Sequence, residues 1–173
     1  MTKLLFTSPR LSCRQLKDED VAELLLVYGD VDAMRYVDDG EPLSGSEAVR
    51  WLEVTKTNYE RYGYGMSALT ERSSGELIGF CGLVHPGGQE EAEIKYALKR
   101  RYWGAGFATE AVQAMLEYGA KTHDLHHVIA TTDPKNAASH RVLLKSGMTR
   151  GDLRLNGDGS YTQVFVWTRE NET

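Results

Sequence analysis

Arg101-Tyr102-Trp103-Gly104-Ala105-Gly106-Phe107-Ala108-Thr109-Glu110-Ala111 is the stretch on which the fold turns. Before it, Ala92 to Leu98 alternates, with Ile94, Tyr96 and Leu98 facing one way and Glu93, Lys95 and Ala97 the other, which predicts a strand. After it, Ala108, Ala111, Val112, Met115 and Leu116 recur at helical spacing, so Phe107 to about Thr122 reads as the best helix in the chain. The joint between them is basic and punctuated by glycine. Gly104 and Gly106 let the backbone approach a ligand with no Cβ in the way, and the free N–H groups of the helix start point at whatever anion sits there. The helix end adds roughly half a positive charge. Arg100 and Arg101 place full charges nearby. Such a junction can hold a pyrophosphate.

Working outward, Val128 to Thr132 is a short strand rich in β-branched residues. Ala92 through Thr132 is therefore strand, helix, strand, which calls for a right-handed crossover and either parallel pairing of the two strands or a parallel approach with a gap between them. Asp133-Pro134 starts a turn, Ala137 to Lys145 forms a helix ended by Gly147, and strands Met148 to Leu155 and Tyr161 to Thr168 flank the hairpin signal Asn156-Gly157-Asp158-Gly159. Upstream, a strand around Leu11, Cys13 and Leu16 precedes a helix through Val21, Leu24, Leu25 and Tyr28, with Asp18, Glu19 and Asp20 at its start and Gly29 at its end. A second helix spans about Ser46 to Tyr62, capped by Ser44 or Ser46. Strands Met66 to Thr70 and Leu77 to Val84 follow, joined through Glu71 to Gly75. The sum is one mixed α/β domain over residues 1–173, with about seven strands and four helices and no internal repeat.

A length of 173 residues with 41% hydrophobic content suits a globular domain. The net charge of −5 argues against non-specific nucleic-acid binding but permits an amine or a basic peptide as substrate. No apolar run approaches the roughly 20 residues of a membrane span, and no signal peptide is visible, so a cytoplasmic protein with no membrane partner is expected. Cys13 and Cys81 lack metal spacing and read as two reduced thiols, with no metal site.

Three readings compete for the glycine turn. A dinucleotide-binding fingerprint fails because Thr109 stands where its third glycine belongs and the chain does not open with the strand-turn-helix unit it needs. A Walker loop fails because no Gly-Lys-Ser or Gly-Lys-Thr occurs. A plain structural turn with surface arginines would suffice for the glycine pair alone. What decides the matter is a second segment, Asn136-Ala137-Ala138-Ser139-His140-Arg141-Val142-Leu143-Leu144-Lys145-Ser146-Gly147-Met148. With Glu93 to Leu98, the turn at Arg101, Gly104 and Gly106, and the element order over nearly the full chain, it resembles the GNAT superfamily of acetyltransferases. The resemblance is to the kind that includes the ribosomal-protein N-terminal acetyltransferases.

The resemblance implies a GNAT fold, acetyl-CoA as co-substrate, and direct attack of an amine on its thioester without an acyl-enzyme. It places the donor against Tyr96, Ala97 and Leu98 of the strand and Arg101, Trp103, Gly104, Ala105, Gly106, Phe107, Ala108 and Thr109 of the turn, with Asn136 on the pantetheine arm. Glu93 is the candidate base, although it also belongs to the acidic run Glu90, Glu91, Glu93, which fits a solvated face. Many superfamily members carry a tyrosine proton donor seven or eight residues past the asparagine. Leu143 and Leu144 occupy those positions here. In the ribosomal-protein type a serine three residues past the asparagine takes that role, which points to Ser139. Locally, Asn136 also reads as a helix N-cap and Ser139 as a first-turn residue. Lys95 departs from the pattern, which commonly has glycine there.

The acceptor expected is a peptide or protein N-terminal α-amine, with small amines, amino acids or antibiotics as alternatives. Another alternative is an acyl-CoA-binding protein without catalysis. Glu41 and the cluster Tyr59, Tyr62 and Tyr64 are weaker acceptor-site candidates. His123, His126 and His127 read as surface residues, and the final hairpin could pair across a homodimer.

Overall fold

The computed structural model describes residues 3–36 and 41–170. It contains one eight-stranded sheet in the order β1-β2-β3-β4-β5-β6-β8-β7. The strands are β1 (Leu4–Thr7), β2 (Leu11–Gln15), β3 (Met66–Glu71), β4 (Leu77–Val84), β5 (Ala92–Leu98), β6 (His127–Thr132), β7 (Thr149–Leu155) and β8 (Tyr161–Thr168). The helices are α1 (Val21–Tyr28), α2 (Val31–Met34), α3 (Gly45–Tyr62), α4 (Phe107–His123) and α5 (Ala137–Lys145). Among these elements no helix is long and apolar enough to cross a membrane.

The sequence reading finds seven of the eight strands and four of the five helices. It passes over β1, whose Leu4, Leu5 and Phe6 look like an isolated apolar patch. What makes them a strand is antiparallel pairing to β2, with Phe6 opposite Cys13. Helix α2 has only four residues, too few to show a period. Elsewhere local chemistry sets the boundaries. Ser44 caps α3 in a reciprocal box with Glu47, and Gly63 ends it with φ 82°. Asp20 stands at the start of α1 as expected and is also buried, its carboxylate accepting from the Arg14 guanidinium at 2.8 and 3.0 Å and from the Lys17 N–H at 2.9 Å.

Two apolar layers sandwich the sheet. On one face α4 and α5 bury Ala111, Val112, Met115 and Leu143 against Ile94, Leu98, Val128 and Phe165. On the other, α1 and α3 bury Leu24, Val27 and Leu52 against Met66, Ala68 and Phe80, with Ala97 packed beside them. The alternation read from β5 therefore holds: Ile94, Tyr96 and Leu98 meet the α4 and α5 layer, and Ala97 meets the α1 and α3 layer. Cys13 and Cys81 are free and fully buried.

Candidate functional site

The functional geometry begins where two strands part. β5 and β6 run parallel but pair only at Ala92 with Val128 and Glu93 with Ile129, although β5 continues to Leu98 and β6 to Thr132. On its other side β5 pairs with β4 from Glu93 to Leu98. The Lys99 N–H reaches the Ile78 carbonyl at 2.8 Å, and antiparallel bonding alternates, so Glu93, Lys95 and Ala97 address β4 while Ile94, Tyr96 and Leu98 address the gap. Past Ile94, the Tyr96 amide thus faces an opening with no strand to fill it. An extended ligand with amide groups can add there as a strand would.

The opening leads to the turn. The chain leaves β5 through a 3₁₀ turn at Arg100–Tyr102 and enters α4 with both glycines left-handed, Gly104 at φ 75° and Gly106 at φ 84°. Gly106 is the N-cap of α4 and supplies no side-chain acceptor. The first backbone bond of this helix start is Glu110 N–H to the Gly106 carbonyl at 3.1 Å, which leaves the N–H groups of Phe107, Ala108 and Thr109 without an intrahelical partner. A Cβ built on Gly104 would meet no atom within 4 Å. Unpaired donors beside open space fit a diphosphate.

The arginines do something other than expected. The Arg100 guanidinium donates to Asp30 at 2.6 Å and Asp32 at 2.9 Å, and Arg101 pairs with Glu76 while lying over the Tyr102 ring. Their charges are already matched by carboxylates. What the turn offers an anion is chiefly backbone N–H, and Arg101 contributes by anchoring. Trp103 is also an anchor: its indole N–H donates to the Leu98 carbonyl at 2.9 Å, closing the end of β5.

Sequence reasoning missed Arg10. Its Nη1 donates to the Ala105 carbonyl at 2.9 Å, its Nε donates to Glu110 at 2.8 Å, and its guanidinium lies 4.0 Å from the centre of the Phe107 ring. Glu110 also accepts from Ser8 Oγ at 2.6 Å and from the Arg10 N–H at 2.9 Å. Burial opposes ionisation of this carboxyl, but these bonds outweigh it and hold Glu110 below the usual carboxylate range. The loop between β1 and β2 thus pins the turn from a hundred residues away, which no local pattern signals.

A cavity of about 730 Å³ continues from the gap toward α3 and toward the β7–β8 hairpin. Lys95, Tyr96, Thr131, Asn136 and Ser139 line the gap, and Tyr28, Met34, Leu43, Trp51 and Val54 wall its far side. Glu93 is only 4% exposed, so the solvated-face reading of the acidic run does not hold for it. Its carboxylate accepts from Thr131 Oγ1 at 3.1 Å and from Gln89 Nε2 at 3.5 Å, and Lys95 Nζ lies 3.6 Å away. Glu93 meets the cavity through Thr131 and Lys95.

Across the gap, Asn136 is the N-cap of α5 and accepts from the Ser139 N–H at 3.2 Å. The cap reading is therefore correct, and it holds the first turn of α5 so that Ser139 faces the cavity. Leu143 is buried and Leu144 half exposed, and neither carries a hydroxyl. His140, next to Ser139, points into the protein, with Nε2 2.8 Å from Thr132 Oγ1.

The tyrosines divide. Tyr59 is structural, its hydroxyl accepting from the Leu16 N–H at 3.0 Å and donating to the Met66 carbonyl. Tyr62 stacks on His85 with centroids 4.2 Å apart, and the Tyr64 hydroxyl lies 2.6 Å from His85 Nε2. His85 Nδ1 contacts the Gln89 carbonyl at 3.1 Å, which can only accept, so Nδ1 carries a proton, and in the neutral ring Nε2 accepts from Tyr64. His85 also lines the cavity, and no local pattern marks it. His126 and His127 are exposed as expected. His123 is half-buried, packing edge-on between Tyr64 and Tyr118.

Comparison with known proteins agrees with this geometry. The acetyltransferase (GNAT) domain family matches residues 10–149. The Bacillus subtilis protein YkkB is 36% identical over 85% of this chain and 85% of its own. The uncharacterised N-acetyltransferase YnaD of Bacillus subtilis is 32% identical over 83% of this chain and 82% of its own. Among solved structures, a GNAT-family acetyltransferase from Bacillus anthracis superposes with a TM-score of 0.80 at 24% identity, covering 97% of this chain and 98% of that one. RimL, a ribosomal L7/L12 alpha-N-protein acetyltransferase in complex with coenzyme A, superposes with a TM-score of 0.80 at 19% identity, covering 96% and 98%. A parted pair of parallel strands, a glycine turn of unpaired amides and a matching sequence family lead to one conclusion: this chain belongs to the GNAT acetyltransferases.

Proposed function

We propose that the protein transfers the acetyl group of acetyl-CoA to the α-amine at the N-terminus of a peptide or protein. The observation that carries this is the parting of β5 and β6, with a buried carboxylate on one face of the sheet and a hydroxyl at the head of α5 on the other, opening into a cavity large enough for a second substrate.

Backbone amides from Gly104 to Thr109 hold the diphosphate, and the gap edge of β5 at Tyr96 holds the pantetheine arm. Asn136 and Ser139 line the opposite wall. Glu93 draws the proton from the incoming amine through Thr131 or an intervening water, because its own carboxylate is nearly sealed. Ser139 donates a hydrogen bond to the departing sulfur.

Magnitudes favour an α-amine. At pH 7 a lysine-type amine of pKa about 10.4 must lose a proton at a cost of roughly 4 to 5 kcal/mol, against about 1 to 1.5 kcal/mol for an α-amine near 8. A carboxylate reached through a hydroxyl supplies the smaller sum more readily. Relatives in fold whose own acceptor is a ribosomal-protein N-terminus, such as RimL, support the same choice.

The test is CoA-thiol release from acetyl-CoA in the presence of short peptides with free or blocked N-termini. Release with free N-termini and none with blocked ones is expected. Tight acetyl-CoA binding with no release for any amine would leave an acyl-CoA-binding protein instead.

A further inference from the structure

The Tyr96 phenol and the Ser139 hydroxyl meet across the gap at 2.7 Å, joining the middle of β5 to the first turn of α5. Each of the two groups can donate one hydrogen, and only one hydrogen can lie between them. A phenol is the stronger acid and the better donor, and an aliphatic hydroxyl is the better acceptor. The arrangement favoured is therefore Tyr96 O–H donating to Ser139 Oγ, which leaves the Ser139 hydrogen free to turn into the cavity. Were the direction reversed, that hydrogen would be spent on Tyr96. Ser139 cannot settle the matter by itself, because its N–H is committed to Asn136 and its Oγ rotates freely about one bond.

We propose that Tyr96 is a positioning residue for Ser139, fixing the direction of the one hydroxyl proton that faces the leaving sulfur. This rests on the acetyl-transfer reading above and adds to it a side chain whose backbone alone had a role. Burial pushes the Tyr96 phenol up to about 12, so it stays protonated and remains a donor across the working pH range. The same fact decides what it does not do. A CoA thiol is an alkyl thiol, about one unit weaker as an acid than the ~8.5 of cysteine but still stronger than this phenol, so the phenol does not surrender its proton to the thiolate. The neutral amine nitrogen bonds to the acetyl carbon and its surplus proton passes to Glu93 and then to solvent; as the carbon–sulfur bond breaks, its electron pair goes to sulfur, and Ser139 stabilises the thiolate by a hydrogen bond aimed by Tyr96. Solvent protonates the thiolate afterwards.

The test combines a double-mutant cycle with a binding measurement. Tyr96→Phe removes one oxygen and keeps the ring in the gap, and Ser139→Ala removes the hydroxyl it orients. Each single variant is expected to lower kcat about tenfold with the KM for acetyl-CoA within about twofold, and the double variant to fall no further than Ser139→Ala alone. Separately, the parent should bind CoA more tightly than desulfo-CoA at about pH 10, where most of the thiol is ionised. Tyr96→Phe should lose most of that preference without losing affinity for desulfo-CoA. Additive losses in the cycle, an unchanged kcat in Tyr96→Phe, or a retained preference for the ionised thiol would each overturn the proposal while leaving acetyl transfer intact. A parent that binds acetyl-CoA but never releases thiol would overturn the functional reading itself, and this proposal with it.

Discussion

Gly104 and Gly106 allow the donor turn to be dissected by one methyl group. Both sit in the left-handed region, at φ 75° and 84°, where an L side chain costs about 1 to 2 kcal/mol. At Gly106 a Cβ would also stand 3.3 Å from Arg10 Nη2, so Ala there presses on the guanidinium that holds the Ala105 carbonyl and Glu110. At Gly104 it would meet nothing within 4 Å, so in the free protein only the backbone strain is felt. For a chain of this size, 1 to 2 kcal/mol corresponds to a fall of about 2 to 8 °C in Tm. Ligand binding separates the two. CoA at 100 times its Kd stabilises the parent by about 2.7 kcal/mol, and a hundredfold weaker affinity at that concentration leaves only about 0.4 kcal/mol. Gly104→Ala should therefore melt slightly early without CoA and gain about 1 °C with it, where the parent gains about 5 to 11 °C, because its methyl occupies the space a diphosphate needs. The assay is thermal melting with and without CoA. A Gly104→Ala variant with the parent's CoA-induced shift would refute the backbone-cradle argument.

Other outcomes follow from the same geometry. Glu93→Gln keeps an acceptor for Thr131 and abolishes proton uptake, so kcat with peptide acceptors should fall about 100-fold or more while acetyl-CoA affinity holds; steady-state kinetics with equal kcat would remove Glu93 from the chemistry. Glu110→Ala deletes the acceptor of three hydrogen bonds that tie the β1–β2 loop to α4 and should lower stability by about 2 to 3 kcal/mol in urea denaturation; a loss under about 0.5 kcal/mol would show that Arg10 does not need it. Alkaline stability is fixed by buried acids. Burial pushes the Cys13 thiol up to about 12, lifts Cys81 well above its ordinary value, and raises Tyr96 to about 12. The unfolded chain ionises these groups first, so their contribution is complete below about pH 9 and is lost as pH rises toward 12, by about 1.4 kcal/mol per pH unit for each group titrating. Denaturation at pH 8, 9 and 10 should track this decline, and equal stability at pH 8 and 10 would contradict it.

Much of this protein was readable because its decisive features are local. The strand-turn-helix at residues 92–123 announces itself through a period of two, two glycines and a period of 3.6, and Ser44, Gly63 and Asn136 act as caps through their nearest neighbours. Ser139 was singled out because a resemblance names it and Glu93 because it stands on the strand beside the donor, and the residues alone left each with an ordinary alternative. The unread parts depend on contacts far apart in sequence. β1 is a strand because β2 pairs with it, Arg10 matters because Glu110 folds back onto it, and the Tyr96 phenol finds Ser139 only once β5 and α5 are packed. The arginine charges misled because Asp30 and Asp32 at the start of α2 and Glu76 just before β4 reach them first. Glu41, retained as an acceptor-site candidate, follows residues 37–40, which lie outside the described part of the structure.

The claim at the centre is that the glycine turn and the gap edge of β5 grip coenzyme A. Titrating CoA into isotope-labelled protein and following backbone amides by NMR addresses it directly. The amides of Gly104 to Thr109 and of Tyr96 should shift together, with one affinity, while those of β7 stay still. Saturable binding that moves other amides and leaves those of the turn in place would contradict it.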